Sequence, residues 1–195
     1  KTTAAFACLL ASASAFAPSK QGAGSSAVKA AAEFDGMIGV STETGGKFFD
    51  PVGLSRWAPA EHLRKAELSN GRSAMLATVG WEVPKVFMFD SQDVTTSDPV
   101  KAILEADPQW WAQFIIFCGT IEAVKYRGEL EGKSYTGEGP AVIDWTNTWE
   151  SLNDKEKEEM RLKELKNGRL AMIAIASYIS NHFIPGSVPL LPEGF

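Results

Sequence analysis

The chain has 195 residues, the length of one ordinary domain, with 45% hydrophobic and 22% charged residues and a mean hydropathy of −0.09. That mix excludes a disordered or collagen-like chain, and with only Cys8 and Cys118 a disulfide scaffold is excluded too. A formal charge of −5 argues against a nucleic-acid partner, while an average hydropathy near zero still accommodates short apolar spans between acidic loops.

At the N-terminus, residues 1–32 hold no acidic residue; the first is Glu33. Lys1 precedes a short apolar run, Ala4 to Leu10, and then the small residues Ala11 to Ala15, which is the order of a secretory signal. The apolar core is too short to span a bilayer. Lys20, Lys29, several serines and many alanines surround or follow it, as in organelle transit segments. The junction Ala13-Ser14-Ala15-Phe16-Ala17-Pro18 resembles the bipartite presequences of algae with secondary red plastids, which carry a Phe just after the signal cleavage site. Residues 1–32 are therefore expected to be a plastid-targeting presequence that is removed. Residues 33–195 then carry 16 basic and 24 acidic residues, a charge of −8, and Cys118 alone.

Further along, the segment Arg64 to Ala77 recurs as Arg161 to Ala174 at a constant offset of 97, with nine of fourteen positions identical. The chain is a duplicated unit with an insertion between the copies. The first copy continues into an apolar run from Ser73 to about Phe89, and its helix is expected over about 59–89. A second helix is expected over about 108–127, started by Asp107-Pro108 and ended by Arg127-Gly128. The third, over about 153–184, opens with Asn153 and Glu156 at capping-box spacing and stops at Pro185-Gly186. Each apolar core is about 15 to 17 residues, somewhat below the ~20 of a plain membrane span, unless the polar turns Glu67–Arg72 and Glu164–Arg169 also enter the bilayer. Trp81, Trp110 and Trp111 would suit anchoring at headgroup level.

Charges at membrane depth need a reason, since each costs about 2.5–3.5 kcal/mol or more. Within one copy Glu and Asn are three residues apart, about 60° round a helix, whereas the Arg is five past the Glu, about 140° round. Arg72 is thus poorly placed to neutralise Glu67 on its own helix. Two copies crossing by a two-fold rotation solve this: Arg169 reaches Glu67 and Arg72 reaches Glu164. Small residues at the crossing (Gly71, Ala74, Ala77, Gly168, Ala171 and Ala174) let the backbones approach. The paired carboxylates keep spare lone pairs and each Asn offers a carbonyl oxygen. Such hard donors suit Mg²⁺, and a Mg²⁺ held in a chlorin ring needs only one axial ligand from the protein. The plain alternative is a pair of buried salt bridges with a helix-capping Asn.

Glu-x-x-Asn-Gly-Arg-x-Ala-Met, present twice around a middle helix, resembles the chlorophyll-binding light-harvesting family of thylakoid membranes, over most of residues 33–186. The resemblance implies an all-α membrane protein with three transmembrane helices, the first and third crossed and related by a pseudo-two-fold axis. It implies Glu67 and Glu164 as chlorophyll ligands, with Arg72 and Arg169 as their ion-pair partners, and Asn167 and Asn70 as further ligands, Asn70 standing where many members have His. Gly119-Thr120-Ile121-Glu122 resembles the family's Gly-x-x-Glu, so Glu122 is a ligand candidate with Lys125 or Arg127 as counter-ion. Gln113 lies nine residues earlier, against eight in land-plant relatives. Asn181, fourteen after Asn167, matches a later ligand position, and the adjacent His182 is chemically the better Mg²⁺ ligand; one of the two is expected to bind. His62 reads as a surface or interface residue. Phe49, Asp50 and Pro51 belong to a stretch similar to the family's Phe-Asp-Pro-x-Gly loop, which lies by the end of a carotenoid. The short C-terminal end, the Met37-Ile38-Gly39-Val40 start and the Phe-Ala-Pro leader favour the fucoxanthin–chlorophyll a/c-binding branch.

The resemblance implies a light-harvesting antenna, not an enzyme, in the plastid thylakoid membrane as a multi-pass protein. Its cofactors would be chlorophyll a, chlorophyll c and fucoxanthin or related xanthophylls, the only metal being chlorophyll Mg. Its partners would be other antenna subunits, a photosystem I or II core and thylakoid lipids. No nucleophile–base pair or phosphate loop speaks for catalysis. A rival within the family is a photoprotective, energy-dissipating member, for which Asp90, Asp93, Asp98, Glu105 and Asp107 would be candidate pH sensors. A rival of another class, a soluble helical bundle with a carboxylate di-metal oxidase site, uses Glu-x-x-His where both copies here have Glu-x-x-Asn. A proton or ion transporter built on Glu122 would need a polar path that three short helices hardly provide.

Overall fold

The computed structural model describes residues 34, 37–40, 42–87, 94–136, 140–144 and 148–189; the expected presequence lies outside them. The chain divides into two compact units, Lys1–Leu63 and Arg64–Phe195. In the first, Phe34 stacks on Phe48 with ring centroids 4.4 Å apart. Asp50 then builds a turn: its carboxylate accepts the N–H groups of Gly53 at 2.7 Å, Leu54 at 2.9 Å and Ser55 at 2.9 Å. Gly53 sits at φ +73°, which glycine adopts without penalty, and a 3₁₀ turn, Leu54–Arg56, follows.

Among the described residues four α-helices form: α1 (Ala60–Val86), α2 (Pro99–Glu105), α3 (Pro108–Leu130) and α4 (Asp154–Phe183). The helices expected over 59–89, 108–127 and 153–184 correspond to α1, α3 and α4. The short α2 has no counterpart among the expected helices. Its signal is a second Asp-Pro pair: Asp98 accepts the Val100 N–H at 3.0 Å and Pro99 takes the first helical position, just as Asp107 accepts from Gln109 ahead of α3. Asp98 and Asp107 are thus helix caps. At the start of α4, Glu156 reaches back to the Asn153 N–H at 2.9 Å, one half of a capping box.

No helix among the described residues is long and apolar enough to cross a membrane. Length is not the deficit, since the 23 residues of α3 alone extend about 35 Å. Polarity is: Gln109, Gln113, Glu122, Lys125, Arg127 and Glu129 lower the hydropathy of α3, and the two repeated motifs that of α1 and α4.

The buried residues follow the duplication. Leu68, Gly71 and Ala74 on α1 are buried, and so are their counterparts 97 residues later on α4, Leu165, Gly168 and Ala171. A stripe of small residues lets the backbones touch: a Cβ added at Gly71 would stand 3.0 Å from the Gly168 Cα. Ala77, expected at this contact, is exposed. Further along, Trp81 stacks on Tyr178 with centroids 6.1 Å apart and meets the edge of His182. Trp81 is only 7% exposed, so the headgroup-anchor expectation is corrected: the indole closes the α1–α4 contact from inside. Trp110 and Trp111 do stand exposed. Almost all of α3 is exposed, including Phe114, Ile115, Ile116 and Phe117 at 57–70%.

Candidate functional site

At the α1–α4 contact each arginine reaches the other helix. Arg169 Nε donates to Glu67 Oε1 at 2.7 Å, and Arg72 Nε donates to Glu164 Oε1 at 2.6 Å. This is the reciprocal arrangement that a spacing of five within each copy demands. The pairs are only half-buried, with side chains 27–37% exposed.

The two pairs are not equivalent. Glu67 has a second cation, since Arg64 Nη1 donates to its Oε2 at 2.7 Å from one turn earlier. Sequence reasoning missed Arg64, although its i, i+3 spacing was the available signal. On the other side Arg72 donates a further bond to the Tyr135 carbonyl at 3.3 Å and lies 4.2 Å above the Tyr135 ring. Lys125 Nζ is also 4.2 Å from that ring, so Tyr135 touches two cations. Nothing in the local sequence around Tyr135 announces this; it depends on the loop after α3 returning to the helix. There a Ser134–Ala141 bridge forms, and Val142 presses on the buried Gly128.

Lys125 is also the partner of Glu122, at 2.9 Å, while Arg127 turns to Glu131. The Glu122 side chain remains 68% exposed. Asn167 is exposed on α4; its Nδ2 donates to the Lys163 carbonyl at 2.8 Å, which leaves Oδ1 to accept or to coordinate. Asn70 and Gln113 are exposed on α1 and α3, as is His62.

Asn181 and His182 sit differently. Asn181 is 2% exposed and its Oδ1 accepts the Gly186 N–H at 3.2 Å, closing the end of α4. His182 Nε2 meets Asp98 Oδ1 at 3.1 Å, and its buried Nδ1 has no hydrogen-bond partner among the described residues. Burial raises the Asp98 carboxyl, but the His182 hydrogen bond and the backbone donors at the start of α2 outweigh it and hold Asp98 below its ordinary value. In the N-terminal unit, Asp50 is lowered to about 2 by the Ser55 side chain and by the backbone donors of its turn. Phe49 and Pro51 beside it are exposed.

Between α1, α3, residues 134–136 and 141–144, and the start of α4 lies a cavity of about 1000 Å³. Its walls are largely apolar, with Leu76, Phe117 and Ile121 among them, and Glu122, Lys125, Arg72 and Arg161 also reach it. Among the described residues no group of three or more His, Cys, Asp or Glu side chains is placed to hold a metal ion, so they supply no carboxylate di-metal centre. What the site offers is single oxygen donors on helices that also expose large apolar side chains.

The family model described as Chlorophyll A-B binding protein matches residues 30–183. The chain is 32% identical over 206 aligned positions to the fucoxanthin-chlorophyll a-c binding protein of Trieres chinensis, covering 97% of this chain and 98% of that protein. It is 30% identical to fucoxanthin-chlorophyll a-c binding protein C of Phaeodactylum tricornutum, covering 98% and 99%. A more partial likeness, 28% over 70% of this chain and 60% of the relative, links it to light-harvesting complex stress-related protein 1 of Chlamydomonas reinhardtii. These relatives are named as pigment-binding and light-harvesting proteins, not enzymes. The chain belongs to the chlorophyll a/b-binding protein family, beside its fucoxanthin–chlorophyll a/c members.

Proposed function

We propose that this protein is a light-harvesting antenna that holds chlorophyll a, chlorophyll c and fucoxanthin-type xanthophylls and passes excitation to a photosystem. One observation carries the reading: single oxygen donors stand exposed on helices that also leave many large apolar side chains exposed. Asn167 Oδ1 and the Glu122 carboxylate each offer a single ligand, as the Mg²⁺ of a chlorin requires. Runs of exposed apolar side chains such as Phe114 to Phe117 suit a cover of pigment and lipid.

In this reading α1, α3 and α4 lie in the plastid thylakoid membrane, with α1 and α4 crossed about a pseudo-two-fold axis at Gly71 and Gly168. The reciprocal ion pairs neutralise the charges that the crossing carries to membrane depth. The proposed ligands are Glu67, Asn70, Glu122, Glu164 and Asn167, with Gln113 a further oxygen donor on α3. Binding at Asn181 or His182 would first require their contacts at the end of α4 to open. The turn made by Phe49, Asp50 and Pro51 is proposed to lie by a xanthophyll. Chlorophyll supplies light absorption and the excited state; the chain supplies spacing and orientation, on which transfer depends steeply. Other antenna subunits and a photosystem core are the proposed partners. The more partial match to a stress-related relative leaves energy dissipation as a second reading, separable by whether fluorescence is quenched at low pH.

The test is pigment chromatography of the detergent-purified native complex and of an Asn167→Leu variant. The wild type is expected to carry both chlorophylls and the xanthophyll, and the variant to lose a chlorophyll. A wild type without pigment would overturn the proposal; an unchanged variant would remove Asn167 from the ligand set.

A further inference from the structure

Arg64 and Arg161 occupy equivalent positions in the two copies, each three residues before its glutamate, yet they do different things. Arg64 holds Glu67. Arg161 lies instead over the Trp149 ring, 5.3 Å from its centroid, and its buried Nε has no hydrogen-bond partner among the described residues. That Nε is closed off from the cavity, so what an occupant would meet is the permanent charge of the guanidinium and the terminal N–H groups of its rigid fork, for which the described residues give no hydrogen bond or ion pair. The duplication predicts an Arg161–Glu164 contact; the structure breaks the symmetry at this point and leaves Arg161 at the wall of the 1000 Å³ cavity.

The other charged groups of that wall are engaged. Arg72 holds Glu164, Lys125 holds Glu122, and Asp144 accepts the Trp149 N–H. An occupant is therefore expected to be large, flat and apolar, with one anionic group for Arg161. The volume lies at the upper end of the roughly 300–1,000 Å³ usual for cofactor pockets. Among the pigments proposed above, chlorophyll a ends in a phytyl ester and the xanthophylls are uncharged, whereas chlorophyll c keeps a free carboxyl on its macrocycle.

We infer that Arg161 is a carboxylate receptor, and that the cavity it lines selects chlorophyll c. The macrocycle fills the apolar space, Glu122 offers the axial oxygen, and the Arg161 fork takes the carboxylate. Trp149 holds the guanidinium in place through its ring face. The inference rests on the antenna reading and adds to it which pigment occupies this cavity and why.

The test is reconstitution of the full chain with chlorophyll a, xanthophyll and either chlorophyll c or its methyl ester. The ester removes the charge without altering the protein, so folding is not in question. At the chlorophyll c site the ester is expected to bind about tenfold more weakly or worse, as for loss of a charge-assisted pair. An Arg161→Gln chain is expected to show the same loss with the free acid while its chlorophyll a content stays unchanged, and Arg161→Lys to recover part of it. Equal uptake of acid and ester, or an unchanged chlorophyll c to a ratio in Arg161→Gln, overturns the inference while leaving the antenna reading intact. A wild-type chain that takes up no pigment overturns both.

Discussion

The unequal ion pairs make a prediction that their sequence symmetry does not. Arg72→Leu leaves Glu164 without an arginine, because Arg161 is turned to Trp149, and it also removes the contacts to Tyr135. Arg169→Leu leaves Glu67 still held by Arg64 at 2.7 Å. A hydrogen bond to a charged group contributes about 1.5–3 kcal/mol, and stripping one partner from a fully buried pair costs about 3–5 kcal/mol. With Arg72 and Glu164 each 33% exposed, solvent screening places Arg72→Leu at about 2–4 kcal/mol. Arg169→Leu, with a counter-ion left behind, is expected to cost only about 1–2 kcal/mol. The assay is denaturant unfolding of the reconstituted complexes, followed by visible circular dichroism of the bound pigments. The double variant Arg64→Leu/Arg169→Leu should fall to the level of Arg72→Leu. Equal losses in the two single variants, or a larger one for Arg169→Leu, would refute the asymmetry.

Gly71→Ala drives a Cβ to 3.0 Å from the Gly168 backbone, which cannot rotate away, so α1 and α4 must part. A loss of about 1–3 kcal/mol is expected in the same unfolding assay, and a neutral result would contradict the contact. Gly128→Ala meets Val142 Cγ1 at 2.6 Å; this is a side-chain clash, so Gly128→Ala/Val142→Ala should restore the pigment content that Gly128→Ala lowers. Asp50, at about 2 when folded against an ordinary 3.8, favours its turn above pH 4 and loses that effect as pH falls through 2. A carboxyl-detected NMR titration giving Asp50 an ordinary value would mean that the backbone donors are not on it.

Much of this arrangement was legible from spacing. The offset of 97 picked out Gly71, Ala74, Gly168 and Ala171 of the buried stripe, because the same local sequence builds the same helix face twice, but it put Ala77 there, which is exposed, and left out Leu68 and Leu165. The Glu–Arg spacing of five required a partner on another helix, and Asp107-Pro108 marked a start that Asp98-Pro99 repeats unnoticed for α2. What stayed hidden depends on contacts distant in the chain. Trp81 reads as an interfacial residue until Tyr178 is brought against it. Asn181 reads as a ligand until the turn at Gly186 brings an N–H to it. Arg64 and Arg161 are identical in sequence context, and only the segment carrying Trp149 makes them differ.

The central claim is that the chain positions pigments for energy transfer, and the excitation spectrum of chlorophyll a fluorescence from the purified complex tests it most directly. The account predicts that light absorbed by chlorophyll c and by the xanthophyll appears as chlorophyll a emission. A complex whose chlorophyll a is excited only through its own bands, or a colourless protein stable without detergent, would contradict it.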